Sequence, residues 1–491
     1  MIKNIIWEIK RIYRYKKKII NIIFLFLILV LILLYFSAKL DFNYFDYDFY
    51  IPQKDIKSEK EFLGKVYFND QVGSSQFKNL IIESIENAEQ SIDLFLYSLD
   101  MDEIANSLSA AQERGVDVNL IFDQSKKNQH DRVFGKNSGL NILNLGGDIS
   151  EGGDYMHHKF VIFDKNTDQA KLLFGSFNYT ALQEKYDPSF ILETEDQDVI
   201  NAFVQENNLI SQGIRGYKKI RENIYKPFNR KIQYNNGFVE VWFGPGFQKN
   251  SIKQRMIDLI DSAENSIDII IWRATDSDIV KTILKKANQG VKVRIITDDY
   301  YIWSSDSSFK KLAKTINQAK TKNIEIISDL YKTLDFHNKI QTEKSYFNPY
   351  IHQHTLIIDD KIVLSGTNNW TYNGFFKNDE SIMVSNVDFW VEAFRGSFQG
   401  HYNNLRSKNI KFSLENNLIT LFDNDSDLIA KRFLIYNELS EEEQIPKKCF
   451  EINILEKDFS FNIPQECNTM QSLIFILDSN NNLIASSYLN F

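Results

Sequence analysis

Two stretches of the 491-residue chain place histidine, lysine and asparagine side chains within or beside apolar segments. The first reads MHHKFVIFD and continues to GSFN, and the second reads IHQHTLIID and continues to GTNN. Their polar members are His157, Lys159, Asp164, Ser176 and Asn178 in the first stretch, and His352, His354, Asp359, Thr367 and Asn369 in the second. Alternate residues of a strand point to the same face, so His157 and Lys159 share one face, as do His352 and His354. An imidazole can act as a nucleophile or as a proton donor, so a polar pattern that occurs twice indicates a reactive site rather than two isolated core histidines.

The chain also repeats itself at an offset of 175 residues. AEQSIDLFLY at 88–97 recurs as AENSIDIIIW at 263–272, and RGVDVNLIFD at 114–123 recurs as QGVKVRIITD at 289–298. Each copy reads as a strand, an amphipathic helix, an apolar strand, a second helix, a glycine turn and a further apolar strand. Helices that alternate with apolar strands predict an α/β fold with layered sheets, present here as two tandem domains.

The pattern H-x-K-x-x-x-x-D followed by G-S-x-N resembles the motif of the phospholipase D superfamily, and the resemblance covers residues 60–410. Members of this superfamily pair two such motifs across one active site. The resemblance therefore implies one pseudo-two-fold site in a monomer, formed by both repeats. The first motif is complete, whereas the second has His354 in place of the lysine and Thr367 in place of the serine.

This resemblance implies a reaction at a phosphodiester that uses no metal or other cofactor. One of His157 and His352 attacks phosphorus to give a phosphohistidine and the other protonates the leaving alkoxide, and the sequence leaves both assignments open. Polar groups of both motifs then bind the non-bridging oxygens and the developing charge. The residues expected to be catalytic are His157, His352, Lys159, Asn178, Asn369, Asp164, Asp359 and Glu380, and those expected to bind substrate are Ser176, Thr367 and His354.

One departure from the family pattern concerns the acid that orients a catalytic imidazole. The family commonly has Asn-x-Glu after G-S-x-N, and the second copy retains it as Asn378-Asp379-Glu380. Alignment of the two copies places Ser189 where the first copy would have its glutamate. One imidazole is therefore expected to lack a carboxylate partner, with Ser189 as a weaker substitute.

The other departure concerns charge. An imidazole with an ordinary pKa near ~6.5 is mostly neutral at neutral pH, so His354 leaves one fixed positive charge where the family has two. We expect His354→Lys to raise turnover at about pH 8 and to raise it less at about pH 5.5, where His354 would carry its own charge.

The distribution of charge bears on the substrate. The chain has 57 basic and 65 acidic residues, but residues 1–18 hold seven basic side chains and one acidic one, which leaves 50 basic and 64 acidic residues beyond them. This excess of acidic residues beyond residue 18 disfavours general binding of nucleic acid or anionic lipid, so phosphate chemistry must depend on a local site.

An apolar run near the N-terminus predicts a membrane anchor. Residues 19–38 read IINIIFLFLILVLILLYFSA, which is long enough to cross the ~30 Å hydrocarbon layer at ~1.5 Å per residue. The basic residues before it and the acidic ones after it predict a cytoplasmic N-terminus, an uncleaved signal anchor and catalytic domains outside the cytoplasm. Cys449 and Cys467 are then expected to form a disulfide.

These patterns divide the chain into seven segments. We predict a basic cytoplasmic tail at 1–18, a transmembrane signal anchor at 19–38, a linker at 39–60, a phospholipase D-like domain at 61–225, a linker at 226–237, a second such domain at 238–410 and a small β-rich region at 411–491.

Three functions follow from the resemblance. The favoured one is a membrane-anchored phosphodiesterase that hydrolyses or transfers the phosphatidyl groups of glycerophospholipids. The alternative is a Nuc-type endonuclease with nucleic acid as substrate, because MHHKF and GSFNYT resemble that branch of the superfamily. The third is a binding scaffold that has lost turnover through His354 and Ser189. A metal site at His352, His354 and Asp359 is also conceivable for two imidazoles on one strand face, but the duplicated context favours the phosphate motif.

Overall fold

The computed structural model describes residues 56–69, 75–135, 139–147, 154–221, 230–246, 251–297, 323–328 and 351–407, together with the backbone of seven strands between 411 and 490. The sixteen strands before residue 411, numbered in chain order, are β1 (Ile56–Lys57), β2 (Lys65–Phe68), β3 (Ser91–Leu96), β4 (Asp117–Asp123), β5 (Asn141–Leu145), β6 (Lys159–Phe163), β7 (Lys171–Gly175), β8 (Phe190–Thr194), β9 (Arg230–Tyr234), β10 (Gly237–Phe243), β11 (Ser266–Ile271), β12 (Lys292–Thr297), β13 (Ile324–Ser328), β14 (His354–Ile358), β15 (Ile362–Gly366) and β16 (Ser381–Ser385).

The helices of the described residues pack on these strands. They are α1 (Gln76–Asn87), α2 (Asp102–Glu113), α3 (Lys127–Phe134), α4 (Ala181–Tyr186), α5 (Gln197–Ser211), α6 (Tyr217–Arg221), α7 (Ile252–Ser262), α8 (Ser277–Asn288), α9 (Tyr372–Phe376) and α10 (Asp388–Ser407), with a 3-10 turn at Gln124–Lys126. Five of them, α4, α5, α7, α8 and α9, begin at a residue whose side chain caps the helix. Asp196, for example, accepts from the amides of residues 198 and 199 at the start of α5.

Two mixed sheets contain these strands and share one topology. The seven-stranded sheet has the order β2-β8-β7-β6-β3-β4-β5, and seven strands of the nine-stranded sheet have the matching order β10-β16-β15-β14-β11-β12-β13. In each of these two sets of seven strands, the last three strands are parallel to one another and the other neighbouring pairs are antiparallel. The duplicated sequence thus folds into a duplicated α/β layer, as the repeat predicts.

Apolar runs in the central strands reflect burial on both faces. All six residues of β3 (SIDLFL) and all five of β6 (KFVIF) are buried, as is typical of strands covered on both sides. One hydrophobic cluster draws on both repeats, because Phe190 of the first lies 5.0 Å from Phe394 and 6.0 Å from Trp390 of the second, measured between ring centroids. The two repeats therefore share a core, which fixes the two motifs relative to each other.

The linker predicted at 226–237 differs from the structure. Residues 230–234 form β9, which pairs antiparallel with β10 through a turn at 235–236. The Asn-Asn-Gly sequence at 235–237 is hairpin-turn chemistry, so it ends a strand rather than marking a domain boundary. β1 likewise lies inside the linker predicted at 39–60 and pairs with β9.

The C-terminal region is β-rich, as the sequence predicts. Its strands are β17 (Lys411–Glu415), β18 (Leu418–Phe422), β19 (Arg432–Asn437), β20 (Lys448–Asn453), β21 (Asp458–Asn462), β22 (Gln471–Leu477) and β23 (Leu483–Asn490). They form a three-stranded sheet, β17-β18-β21, and a four-stranded sheet, β20-β19-β22-β23.

Two predictions fall outside the described residues. The anchor predicted at 19–38 lies there, and among the helices that the structure does describe, none has the length and apolar character needed to cross a bilayer. Cys467 also lies outside the described residues, so its pairing with Cys449 stays a prediction.

Candidate active site

The two motifs meet through backbone hydrogen bonds between the repeats. Each motif enters the central strand of its sheet, β6 or β14, from the same end. The amide of His157 donates to the carbonyl of Asp379 at 3.0 Å, and the amide of His352 donates to the carbonyl of Pro188 at 2.9 Å. Each histidine is thus held by the loop that follows the G-x-x-N segment of the opposite repeat.

The imidazole of His157 is oriented by a carboxylate from the second repeat. Its Nδ1 lies 2.9 Å from Oε2 of Glu380. The same carboxylate accepts from the hydroxyl of Thr367 at 2.6 Å and from Nδ2 of Asn378 at 3.1 Å. With Nδ1 engaged, Nε2 of His157 is the nitrogen left for chemistry.

His352 has an acceptor of a different kind. Its Nδ1 donates to the backbone carbonyl of Ser176 at 2.8 Å, again across the repeats. The substitute that the sequence predicts does not occur, because the hydroxyl of Ser189 donates to the carbonyl of Asp187 at 3.0 Å. The two imidazoles therefore have the same tautomeric arrangement, but only His157 has a carboxyl group as its partner.

The third residues of the two motifs are also buried in the site. Nζ of Lys159 donates to the carbonyl of His157 at 2.9 Å. Nδ1 of His354 donates to the carbonyl of Gly366 at 3.2 Å, and its Nε2 is buried with no hydrogen-bond partner among the described residues. His354 therefore presents an unused ring nitrogen where the first motif presents an ammonium group.

The asparagines of the G-x-x-N segments behave in a matching way. Asn178 and Asn369 are both buried, and the Oδ1 atom of each lacks a hydrogen-bond partner within the described part of the chain. Buried amide groups normally find partners. Two unpaired amides beside the catalytic histidines are therefore what a site that binds polar substrate atoms requires.

Aromatic rings flank both histidines at equivalent positions. The centroid of Tyr97 lies 5.0 Å from that of His157, and the centroid of Trp272 lies 6.0 Å from that of His352. Tyr97 and Trp272 are separated by the 175 residues of the repeat. Burial, the largest effect, raises the pKa of Tyr97 to about 12, so its hydroxyl stays protonated at neutral pH.

Burial dominates the acid–base properties of the site. It lowers the pKa values of His157, His352 and His354 well below the usual range, and neighbouring cationic groups, among them Lys159, lower them further. Burial also lowers the pKa of Lys159 to about 7, although Glu380 and Asp123 oppose it. The pKa of Glu380 is raised by burial to about 8. Burial and the nearby Lys159 therefore oppose the charging of His354 that the sequence predicts at mildly acidic pH.

The two aspartates of the motifs lie outside the site, which corrects their predicted catalytic role. Asp164 follows the far end of β6, where its carboxylate accepts from the amides of residues 89, 90 and 91 at 2.6–3.1 Å. Asp359 follows β14 and accepts from the amides of 264, 265 and 266 at 2.6–2.8 Å. Both have positive φ, 48° and 52°. Each carboxylate joins the end of its own strand to the backbone at the start of the neighbouring strand, β3 or β11. Among the described residues, neither aspartate forms a hydrogen bond with a histidine.

The hydroxyls of Ser176 and Thr367 also have partners other than substrate. Ser176 Oγ accepts from the amide of Phe190 at 3.2 Å, and Thr367 Oγ1 accepts from the amide of Ser381 at 3.0 Å while donating to Glu380. Both residues are fully buried. Their predicted substrate-binding role is therefore corrected to one of support, since Thr367 holds the carboxylate and Ser176 supplies its carbonyl to His352.

A second, wholly buried cluster lies behind the catalytic histidines and is absent from the sequence predictions. Nε2 of His158 lies 2.9 Å from Oε1 of Glu206, and Nζ of Lys219 donates to Glu206 and, at 2.7 Å, to Asp379. His158 and Asp379 adjoin quoted motif residues, so adjacency was a usable signal for both. Lys219 lies in a run of charged residues that reads as solvent-exposed.

His158, Glu206 and Asp379 have the composition of a metal site, with ligand atoms within 4.8 Å of one another. The ammonium group of Lys219 contacts both carboxylates. Burial lowers the pKa of Lys219, but Asp379 and Glu206 outweigh it and raise that pKa above its usual value, so the group is charged. The cluster thus already contains a cation supplied by the protein.

Duplicated α/β layers with a histidine pair at their junction define a class of two-motif phosphoryl-transfer proteins. The family described as "Cardiolipin synthase, PLD-like domain" matches residues 81–208 and 256–402, more than half of the chain. The chain belongs to the phospholipase D superfamily.

Individual relatives match smaller portions. A phospholipase D of Rickettsia conorii is 31% identical over 138 residues, which are 28% of this chain and 64% of that protein. The mitochondrial cardiolipin hydrolase of Chlamydomonas reinhardtii is 27% identical over 144 residues, 29% of this chain and 54% of that protein. The chain thus spans under two thirds of the length of these relatives.

A solved structure supports the fold over a longer range. Phosphatidylserine synthase of Haemophilus influenzae covers 70% of this chain and 88% of its own, with a TM-score of 0.52 and 14% identity. At that identity the similarity shows the fold alone.

Proposed function

We propose that this chain is a phospholipase D-type phosphodiesterase that hydrolyses or transfers the phosphatidyl groups of glycerophospholipids. The observation that carries the proposal is the cross-repeat arrangement of His157 and His352. Each ring has Nδ1 bound by an acceptor of the opposite repeat. Each therefore has Nε2 available, one for attack on phosphorus and the other for proton transfer.

The asymmetry of the acceptors assigns the two roles. Hydrogen bonding of Nδ1–H to the Glu380 carboxylate stabilises positive charge on the ring, which develops as Nε2 of His157 bonds to phosphorus. His352 donates only to a neutral carbonyl and therefore holds a proton less tightly. We assign His157 as the nucleophile and His352 as the general acid and base.

The reaction then proceeds in two displacements. Nε2 of His157 forms a bond to phosphorus while the bond from phosphorus to the headgroup oxygen breaks. His352 enters this step as the imidazolium, with one proton on Nδ1 held by the Ser176 carbonyl and a second on Nε2 that is taken up with the anionic phosphodiester, and the Nε2 proton moves to the headgroup oxygen. Water, or the hydroxyl of an acceptor alcohol, next gives its proton to His352 and attacks phosphorus, and the phosphorus–nitrogen bond breaks. Lys159, Asn178 and Asn369 bind the non-bridging oxygens throughout.

The substrate class rests on two supports. The family description and the two relatives reported above are named for phospholipid chemistry. The acidic residues that outnumber the basic ones beyond residue 18 disfavour a polyanionic substrate such as DNA.

Membrane attachment is part of the proposal. The apolar run at 19–38 would hold the catalytic repeats beside their lipid, outside the cytoplasm. Protease added to cells with a permeabilised outer envelope should digest the residues beyond 40. Protection of those residues would contradict the topology.

The function is tested with the full chain in detergent or in its own membranes. We expect turnover of phospholipid in mixed vesicles with a strong chelator present, and loss of that turnover in His157→Asn and in His352→Asn. Single- and double-stranded DNA are assayed in parallel. Cleavage of DNA without phospholipid turnover would place the chain in the nuclease branch, and absence of any turnover would indicate a binding scaffold.

The role assignment has its own test. Phosphatidyl p-nitrophenol has a leaving group that needs no proton, so His352→Asn should release one equivalent of p-nitrophenol in a burst and retain a phosphorylated His157. His157→Asn should show no burst. A burst in the His157 variant, with label on His352, would reverse the assignment.

A further inference from the structure

The buried cluster behind the histidines joins the segment that connects the two repeats to the site. Lys219 lies in α6, within the chain between β8 and β9, and is 3% exposed. Its ammonium group donates to Glu206, to Asp379 at 2.7 Å and to the carbonyl of Gly244 at 3.3 Å. All three partners are acceptors, so each of the three ammonium protons has one.

Two of those partners flank the residue that orients His157. Asp379 precedes Glu380 in the chain, and the amide of Gly244 donates to the carbonyl of Glu380 at 2.7 Å. The amide of Gly216 also donates to the Asp379 carboxylate at 2.8 Å. Lys219 thus binds both sides of the backbone that presents the Glu380 carboxylate.

The backbone of Asp379 also forms hydrogen bonds with the first motif. Asp379 accepts from the amide of His157 at 3.0 Å and donates to the carbonyl of Tyr155 at 2.8 Å. A side-chain contact joins the same two segments, because Nδ1 of His158 lies 3.2 Å from Oγ of Ser381. The residues around Asp379 and those around His157 therefore form one short interlocked unit.

We propose that Lys219 is a positioning residue that, through Asp379 and Gly244, sets the Glu380 carboxylate on Nδ1 of His157. This inference rests on the proposed function, since it concerns the residues of that reaction. Its physical basis is that a buried ammonium group with three fixed acceptors has one placement. Among the described residues, the other groups that pair with these carboxylates are the His158 imidazole, 2.9 Å from Glu206, and the Arg215 guanidinium, 3.5 Å from Asp379.

The contacts of Lys219 affect the position of the Glu380 carboxylate and not the binding of substrate. None of the hydrogen bonds of Lys219 reaches Lys159, Asn178 or Asn369, the groups that bind the phosphate. Loss of Lys219 should therefore reduce kcat and leave KM nearly unchanged. A small displacement of a catalytic group costs up to about a hundredfold in rate.

The test uses the full chain and phosphatidyl p-nitrophenol in mixed micelles. In Lys219→Ala we expect kcat to fall about 10- to 100-fold with KM within about threefold of wild type. Propylammonium, which replaces the deleted atoms, should restore kcat in a saturable manner. 1-Propanol has a similar shape without the charge and should restore none.

Lys253→Met is the matched control. Lys253 also bridges two carboxylates, Asp276 and Asp278, each at 2.8 Å, at the start of α8, and these contacts involve neither histidine of the site. Its loss should leave kcat unchanged. A kcat for Lys219→Ala within about twofold of wild type, or restoration by neither compound in a folded variant, would overturn the proposal.

A second variant decides the case if Lys219→Ala does not fold. Lys219→Met combined with Asp379→Asn removes one positive and one negative charge together and leaves Glu206 with His158. We expect it to fold, as circular dichroism would report, and to keep the low kcat. A wild-type kcat in this variant would refute the positioning role. If wild-type protein turned over no phosphodiester, the proposed function would fail instead, which is a distinct result.

Discussion

Nδ1 of His157 lies 2.9 Å from Oε2 of Glu380, although the two residues are 223 positions apart and belong to different repeats. The shared hydrophobic core and the His157–Asp379 backbone bond hold them together. Because His352 has only a backbone acceptor, this contact breaks the two-fold symmetry of the site, as does His354 in the position equivalent to Lys159.

The first prediction tests that asymmetry. Glu380→Gln replaces a charged acceptor with a neutral one, and a charge-assisted hydrogen bond is worth about 1.5–3 kcal/mol, so kcat should fall roughly 10- to 100-fold. Ser189→Ala is the control, since the Ser189 hydroxyl contacts only the Asp187 carbonyl, and its kcat should match wild type. Equal losses in the two variants would show that Ser189 does support His352.

The second prediction concerns pH. Besides a proton on His352, the reaction needs Glu380 ionised and Lys159 protonated, and burial raises the pKa of Glu380 to about 8 and lowers the pKa of Lys159 to about 7. Activity is therefore lost below this range as Glu380 gains a proton and above it as Lys159 loses one. The profile of kcat/KM should be a narrow bell that peaks between those two values.

Lys159→Arg separates the two limbs of that bell. A guanidinium stays protonated at all accessible pH values, so the part of the basic limb that is due to Lys159 should disappear and the acidic limb should remain. A basic limb that persists in the variant would assign it to another group, such as His352. The measurement is kcat/KM of both proteins across the pH range.

The third prediction concerns His354. An ammonium group placed there would add a charge-assisted contact to the phosphate, worth roughly 10- to 100-fold in rate. Because burial and Lys159 keep the pKa of His354 well below its usual range, the wild-type imidazole stays neutral even in mild acid. The ratio of turnover between His354→Lys and wild type should therefore be similar at about pH 5.5 and about pH 8. A lysine variant slower at every pH would show that the unpaired Nε2 of His354 has its own function.

The fourth prediction concerns Asp164, whose carboxylate binds three consecutive amides far from the histidines. Asp164→Asn keeps a side chain that tolerates positive φ but removes the charge, and should lower the free energy of unfolding by about 1–2 kcal/mol. Urea denaturation measures that change. The value of kcat for the folded variant should be unchanged, and a large loss of kcat without a loss of stability would restore a catalytic role.

Much of the fold and the centre of the site could be predicted from sequence. The apolar strands and the 175-residue offset predict two layered α/β repeats, and the repeated polar pattern identifies His157, Lys159, His352 and the two asparagines. These features succeed because each one depends on the local identity of residues.

The parts that could not be predicted depend on three-dimensional neighbours. The acceptor of His352 is a main-chain carbonyl, which has no signature in a sequence. Lys219 follows another lysine, so the sequence predicts a surface residue. In the structure it is buried, and two carboxylates distant in the chain compensate its charge. Asp164 and Asp359 share the motif with the histidines but lie at the other end of the strand, and motif membership does not distinguish the two ends.

The backbone acceptor of His352 has a consequence for how the two halves of the site can diverge. A carbonyl of the main chain is present whatever side chain stands at position 176, so no point mutation deletes it. The carboxylate at position 380, by contrast, is lost by a single substitution. A duplicated enzyme with this arrangement can therefore tolerate changes such as serine at 189 without losing the acceptor of His352. The His157 half of the site depends on the glutamate at 380 and tolerates no such change.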